Sequence, residues 1–246
     1  MTKTFLIAGG TKGIGRACTR ILLETGARCH VLSRTLPETD QKLGGAEYHQ
    51  ADLTDPGALG RVIQTLGASG VSLHGMALFQ RHRGREGSWE GNLASTLTAS
   101  RNLIESALPL FPSGGDKSIV ILSSIASRFV AEEQDEGYHV AKAGVVGMAR
   151  YYAFKLGPSG IRVNCVAPGN LLKEESAHFF AQNPALQDLY RSITPLRRMG
   201  TADETARVVR FLLSEEASFI TGQEIVVDGG AGLHWQESLA SRLRLP

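Results

Sequence analysis

Apolar runs of strand length alternate with stretches of helical period along almost the whole chain, the pattern of successive βαβ units. The run Thr4 to Ala8 predicts a first strand. Ile14, Ala17, Cys18, Ile21 and Leu22 then recur at helical spacing and so share one face of a helix, which Gly26 ends. Cys29 to Leu32 and Ala46 to Gln50 read as the second and third strands, and Leu59, Val62, Ile63 and Leu66 as the stripe of the next helix. Val71 to Phe79 predicts a fourth strand, and Asn92 to Leu110 a helix stopped by Pro112 and Gly114-Gly115. Ile119 to Leu122 is a buried strand, Tyr138 to Leu156 a long helix closed by Gly157-Pro158, and Ile161 to Val166 the strand after it. Beyond Pro168 the pattern lapses into a polar stretch, Lys173 to Ser192, too long for an ordinary connection and read as part of a lid over about 171–195. Thr201 to Leu213 predicts the last helix and Gln223 to Val227 the last strand.

Strands that read as unbroken apolar runs belong to a parallel sheet buried on both faces. The expected fold class is therefore α/β: a single Rossmann-fold domain over 1–246, with a doubly wound parallel sheet of about seven strands and helices on both faces. The 246 residues are 42% hydrophobic and 20% charged, enough for one core, and neither a linker nor a repeat interrupts them. The formal net charge is only +2, and the densest basic stretch, Arg81 to Arg85, is short, so nucleic acid is not an expected partner. No apolar run approaches the roughly 20 residues of a membrane span. The start of the chain carries no charged leader or cleavage site, and a cytoplasmic location without a membrane partner is expected. Cys18, Cys29 and Cys165 lie far apart without CxxC spacing, which suits a reducing compartment and indicates neither a disulfide framework nor a zinc site; no metal is expected.

The candidate chemistry begins where the first strand runs into Gly9-Gly10-Thr11-Lys12-Gly13-Ile14-Gly15 and then a helix. Glycines let a ligand approach the backbone, and the helix start offers unpaired N–H groups to a pyrophosphate. The second strand ends Val31-Leu32-Ser33-Arg34 with no acid before Glu38. A carboxylate there would accept bonds from the ribose hydroxyls of NAD, whereas Arg34, with Lys12, suits the 2′-phosphate of NADP(H). Tyr138 and Lys142 are four apart on a predicted helix, so their side chains point the same way. An ammonium beside a phenol favours the phenolate, which suits that oxygen to proton transfer at a carbonyl or alcohol.

The Gly9, Gly13 and Gly15 loop, Asp52-Leu53, Asn92, Ser124 within Leu122-Ser123-Ser124, Tyr138 with Lys142, Val163 to Gly169 and Val227-Asp228-Gly229-Gly230 together resemble the short-chain dehydrogenase/reductase family in order and spacing. The resemblance spans essentially the whole chain and is similar to that of 3-oxoacyl-acyl-carrier-protein reductases. It implies that Tyr138 is the general acid/base, that Lys142 holds the nicotinamide ribose, that Ser124 bonds the substrate oxygen, with Ser123 as its rival, and that Asn92 anchors a water leading to Lys142. Pro168, Gly169 and the Leu171 backbone would lie against the nicotinamide, and Asp52 and Leu53 near the adenine. Asp52 has a second reading as a helix cap before Pro56. Two departures stand out: Met76-Ala77-Leu78-Phe79 replaces the family's Asn-Asn-Ala-Gly, and the stretch from Phe79 to Asn92 is short. His74, on an apolar strand, reads as a core or cofactor-edge residue.

The resemblance implies an NADPH-dependent reductase that converts a ketone to a secondary alcohol, the carbonyl belonging to a small molecule or a carrier-bound 3-oxoacyl thioester. A dehydrogenase of a secondary alcohol, sugar or cyclic diol is the alternative, and a non-catalytic NADP(H)-binding regulator a third reading. Relatives are often tetramers, so a homo-oligomer, tetramer or dimer, is expected.

Overall fold

The computed structural model describes residues 2–82, 84, 88–172 and 174–242. In chain order the first elements are β1 (Thr4–Ala8), α1 (Gly13–Glu24), β2 (Arg28–Ser33), β3 (Ala46–Gln50), α2 (Pro56–Ala68) and β4 (Gly75–Leu78). Next come α3 (Ser88–Asn92), α4 (Ala99–Ala107), β5 (Lys117–Leu122), α5 (Glu136–Leu156), β6 (Ile161–Pro168) and β7 (Leu171–Leu172). The chain continues through α6 (Glu174–Gln182), α7 (Pro184–Ile193), β8 (Gly200–Thr201), α8 (Ala202–Leu212), β9 (Glu224–Val227) and α9 (Gln236–Arg242). Seven strands form one parallel sheet in the order β3-β2-β1-β4-β5-β6-β9. The strand order reverses beside β1, and the crevice outside the carboxyl ends of β1 and β4 is where such sheets bind ligands.

Side chains alternate across each strand, so the sheet builds two cores. Leu6, Ala8, Met76 and Leu78 face α2, α4 and α5, while Phe5, Ile7 and Ala77 face α1 and α8. Helix α1 carries the expected buried stripe, and Gly26, with φ +81°, takes the left-handed turn that ends it.

Three expectations change. The fourth strand is shorter than the apolar run 71–79, because Val71 and Leu73 bond to the carbonyls of Leu66 and Leu110 instead of joining the ladder. The predicted helix from Asn92 to Leu110 starts earlier and is broken by a π-helical segment, Leu93–Thr98, immediately after Asn92. The stretch Lys173 to Ser192 is not a polar loop: Lys173 lies outside the described residues, and the rest forms α6 and α7. Pro184 at the first position of α7 and the amphipathic spacing of Leu186, Leu189 and Tyr190 account for the second of these helices. The short parallel pair β7 and β8 straps the base of this hairpin, with Leu171 opposite Gly200.

Candidate active site

The carboxyl ends of the strands bring most of the singled-out residues to one edge of the sheet. Gly9, at the end of β1, has φ +74°, and a Cβ there would lie 2.9 Å from the Gln80 nitrogen. A Cβ on Gly15 would sit 2.2 Å from the Gly9 carbonyl oxygen, so the loop closes on the helix only because both residues lack side chains. No side chain caps the start of α1 at Lys12, which leaves its first N–H groups available to an anion. Gly13 and Gly15 form this first turn, and the Ile14 side chain is buried in the α1 core, so Ile14 offers only its backbone.

Beside the loop lies a cavity of about 730 Å³ whose walls include Gly9, Thr11, Lys12, Ser33, Arg34, Asp52 and Leu53. The Ser33 hydroxyl donates to the Thr35 carbonyl at 2.8 Å. Asp52 is not the helix cap: Asp55 accepts from Gly57 and Ala58 at the start of α2. Asp52 instead accepts from the backbone and hydroxyl of Thr54 at 2.9 and 2.7 Å. Those bonds, with the Arg34 charge nearby, hold its carboxyl below the usual carboxylate range.

The atypical fourth-strand segment touches this cavity at one residue. Met76, Ala77 and Leu78 are buried in the two cores, and only Phe79 reaches the cavity, followed by Gln80, Arg81 and His82. Gln80 donates to Ser100 at 2.8 Å, but its Oε1 is buried without a partner, as is His82 Nε2. The His82 ring packs where a Cβ on Gly91 would stand, 2.4 Å away. No sequence pattern marks Gln80 or His82; they are visible only as polar atoms left over when the chain is packed. His74 lies at the other end of the sheet, its Nδ1 accepting from the Thr4 N–H at 3.2 Å.

Tyr138 and Lys142 stand on the first turns of α5, as their spacing predicts. The Lys142 ammonium is buried, lies 5.7 Å from the centre of the Tyr138 ring and donates to the Leu122 carbonyl at 2.9 Å. Asp135 caps α5 by accepting from the Tyr138 N–H at 2.7 Å, and the Asn92 amide donates to the same carboxylate at 3.1 Å. Asn92 is thus tied to the helix that presents Tyr138. Asp135 was legible as an N-cap, three residues before Tyr138, but its bond to Asn92 was not.

The two serines separate clearly. Ser123 is buried, its hydroxyl between the Lys142 carbonyl at 3.0 Å and Glu224 at 3.3 Å. Ser124 is half-buried and accepts from the Ala126 N–H at 3.2 Å as it caps the turn Ile125–Ser127. Glu224, buried on β9, also accepts from Ser127 at 2.7 Å and Arg128 at 2.8 Å, clamping that turn. Gly169 packs on Asp228, Pro168 pairs with Val227, and Leu171 is buried on β7. Ser124, Asn92, Tyr138, Lys142, Pro168, Gly169 and Leu171 are not among the walls of the 730 Å³ cavity. The cysteines are free and buried, and burial pushes the Cys29 and Cys165 thiols up to about 12 and raises that of Cys18 as well. Among the described residues no helix is long and apolar enough to cross a membrane.

Residues 8–232 match the family described as Enoyl-(Acyl carrier protein) reductase. The chain is 31% identical over 243 residues to dehydrogenase/reductase SDR family member 4 of Homo sapiens, covering 93% of this chain and 87% of that one. A short-chain dehydrogenase from Leptospira borgpetersenii with bound NAD+ superposes with a TM-score of 0.80 at 27% identity, covering 94% of this chain and 93% of that one. ElxO with NADP bound shares the fold at a TM-score of 0.86 and 22% identity, covering 95% of this chain and 100% of that one.

Proposed function

The chain belongs to the short-chain dehydrogenase/reductase family of oxidoreductases, and on that premise we propose that it is an NADPH-dependent reductase converting a ketone to a secondary alcohol. The observation that carries this reading is the buried Lys142 ammonium beside the Tyr138 ring, on the sheet edge that also holds the glycine cradle. A bound dinucleotide fits that edge: the open start of α1 suits a pyrophosphate, and the unpartnered Gln80 and His82 atoms await a polar ligand. The 730 Å³ cavity, lined by Asp52 and Leu53, would take the adenosine half. Arg34 and Lys12 on its wall favour the 2′-phosphate, a choice the relatives leave open, since one of those named holds NAD+ and another NADP. Pro168, Gly169 and the Leu171 backbone would border the nicotinamide.

When bound, the nicotinamide supplies the hydride for the carbonyl carbon. Tyr138 would donate its phenolic proton to the carbonyl oxygen, and the Lys142 charge would stabilise the phenolate left behind. Ser124, its oxygen already accepting from Ala126, keeps its O–H to donate to the same substrate oxygen, whereas Ser123 is engaged with Lys142 and Glu224. Asn92, held by Asp135, would order a water leading to Lys142. The helices α6 and α7 would cover the substrate, a small carbonyl compound or a 3-oxoacyl thioester.

Free thiols fit a cytoplasmic enzyme, and the exposed Tyr151 and Phe154 on α5 fit a homo-oligomer, a dimer or tetramer measurable by light scattering. The function is tested by following NADPH absorbance with a panel of ketones and 3-oxoacyl thioesters. Turnover with at least one supports the reading; tight NADPH binding without turnover on any of them, in either direction, supports a nucleotide-binding regulator instead.

A further inference from the structure

At the amino ends of the strands, opposite the glycine loop, a second cavity of about 900 Å³ opens between the edge strands and the last turn of α2. Three side chains that play no part in the proposed reaction meet on its wall. His30 on β2 stands opposite Glu47 on β3 in the parallel register, and His49, two residues further along β3, shares the face of Glu47. The His30 Nδ1 lies 3.1 Å from the His49 Nε2 and 3.6 Å from the Glu47 carboxylate. All three donor atoms fall within 4.8 Å of one another. The two rings are tilted by 38° with centres 5.3 Å apart.

We propose that His30, His49 and Glu47 form a Zn2+ site, with water completing the coordination. For ligand bonds of about 2.0–2.1 Å, separations of 3.1 and 3.6 Å subtend angles of about 98° and 120° at a common metal, to either side of the tetrahedral value. Two imidazoles and one carboxylate favour Zn2+ over the harder Ca2+ and Mg2+, which take oxygen ligands. Metal binding takes the neutral form of both imidazoles. Glu47 is 68% exposed on its side chain and can turn toward the ion. The charged neighbours leave room for a cation: Lys3 pairs with Glu215 and Asp116 with Arg162, and Arg28 is the cation whose charge acts on His30. A bound ion would cross-link β3, the edge strand, to β2. Since β3 leads directly into Ala51, Asp52 and Leu53, the clamp would steady one wall of the cofactor cavity from its far end.

The experiment uses the full chain, stripped with chelator and then titrated with Zn2+ by calorimetry and with Co2+ by visible absorption. The expected result is one Zn2+ per chain, Co2+ bands of tetrahedral intensity and a rise in Tm with Zn2+. Glu47→Gln is exposed enough to leave the fold intact, and His49→Asn gives a second variant; circular dichroism checks that both are folded. Loss of a direct ligand should weaken Zn2+ binding by at least the roughly 10–100-fold seen for outer-shell partners, and abolish the Tm shift. Absent binding, weak octahedral Co2+ bands, or affinity unchanged in both folded variants would overturn the site and leave His30 and His49 as a hydrogen-bonded imidazole pair. None of these readouts depends on turnover, so the outcome is separate from that of the proposed reaction.

Discussion

The glycine loop and the α6–α7 hairpin are specified by different means. The loop is determined by backbone contacts: a Cβ on Gly15 would lie 2.2 Å from a carbonyl oxygen, and one on Gly9 2.9 Å from a backbone nitrogen, so nothing but glycine fits. The hairpin rests on side chains. Phe180, its buried aromatic, packs edge-on against Phe179 and Tyr190 at 5.4 and 5.9 Å, while Phe179 and Leu189 remain exposed. A region held by backbone sterics presents one shape to every ligand of its class, as a shared cofactor requires. A region held by a few aromatic contacts can change with little loss of stability, and such segments commonly open, close and set substrate choice.

That contrast leads to tests of falling size. The largest lies between the two regions: Tyr138→Phe should lower turnover about 10²–10⁴-fold while NADPH affinity stays near the parent value. A variant retaining more than about a tenth of the activity would remove Tyr138 from the proton-transfer role. Within the loop, Gly15→Ala should overpack the turn by about 1–3 kcal/mol, or roughly 5- to 150-fold in NADPH affinity by fluorescence titration. Unchanged affinity would show that the loop yields as readily as the hairpin. Arg34→Asp should weaken NADPH about 10–100-fold and leave NADH nearly untouched, read from KM for both cofactors in parent and variant. A parent that prefers NADH sinks the 2′-phosphate assignment.

The hairpin should give smaller effects. Amide exchange across Glu174–Ile193 should slow when NADPH and substrate saturate the protein, while β1 and β4 remain as protected as before; equal exchange in both states would erase the distinction between the regions. The smallest effect concerns the exit of the hairpin, where Glu204 pairs with Arg198 and completes the capping box of α8 with Thr201. The Arg198 guanidinium, helped by the Thr201 bonds, holds the Glu204 carboxyl down at about 2, against an ordinary 4.5. Because the folded value lies below the unfolded one, this anchor stabilises the protein above pH 4.5 and is lost as pH falls through about 2. The pair is partly exposed and screened by solvent, so Glu204→Gln should remove only a small part of the acid dependence of Tm.

What could be read from the chain alone was whatever depends on neighbours within about one turn of helix or one strand. The bounds of β1 and β3, the stripe of α1, the glycine loop and the four-residue spacing of Tyr138 and Lys142 are local consequences of side-chain period and backbone conformation. Asp135 as the cap of α5 and Pro184 as the start of α7 were also written locally. Tertiary structure alone decided that Asn92 meets Asp135, that Ser123 is enclosed by Glu224 while Ser124 is half-buried, and that Gln80 and His82, and not Met76 or Ala77, line the 730 Å³ cavity beside Phe79. It also decided that His30 and His49 touch across two strands. Each of those meetings joins elements distant in sequence, and depends on sheet register and on the side to which each crossover returns. Periodicity reports which face of an element is buried; it carries no information about which other element will cover it.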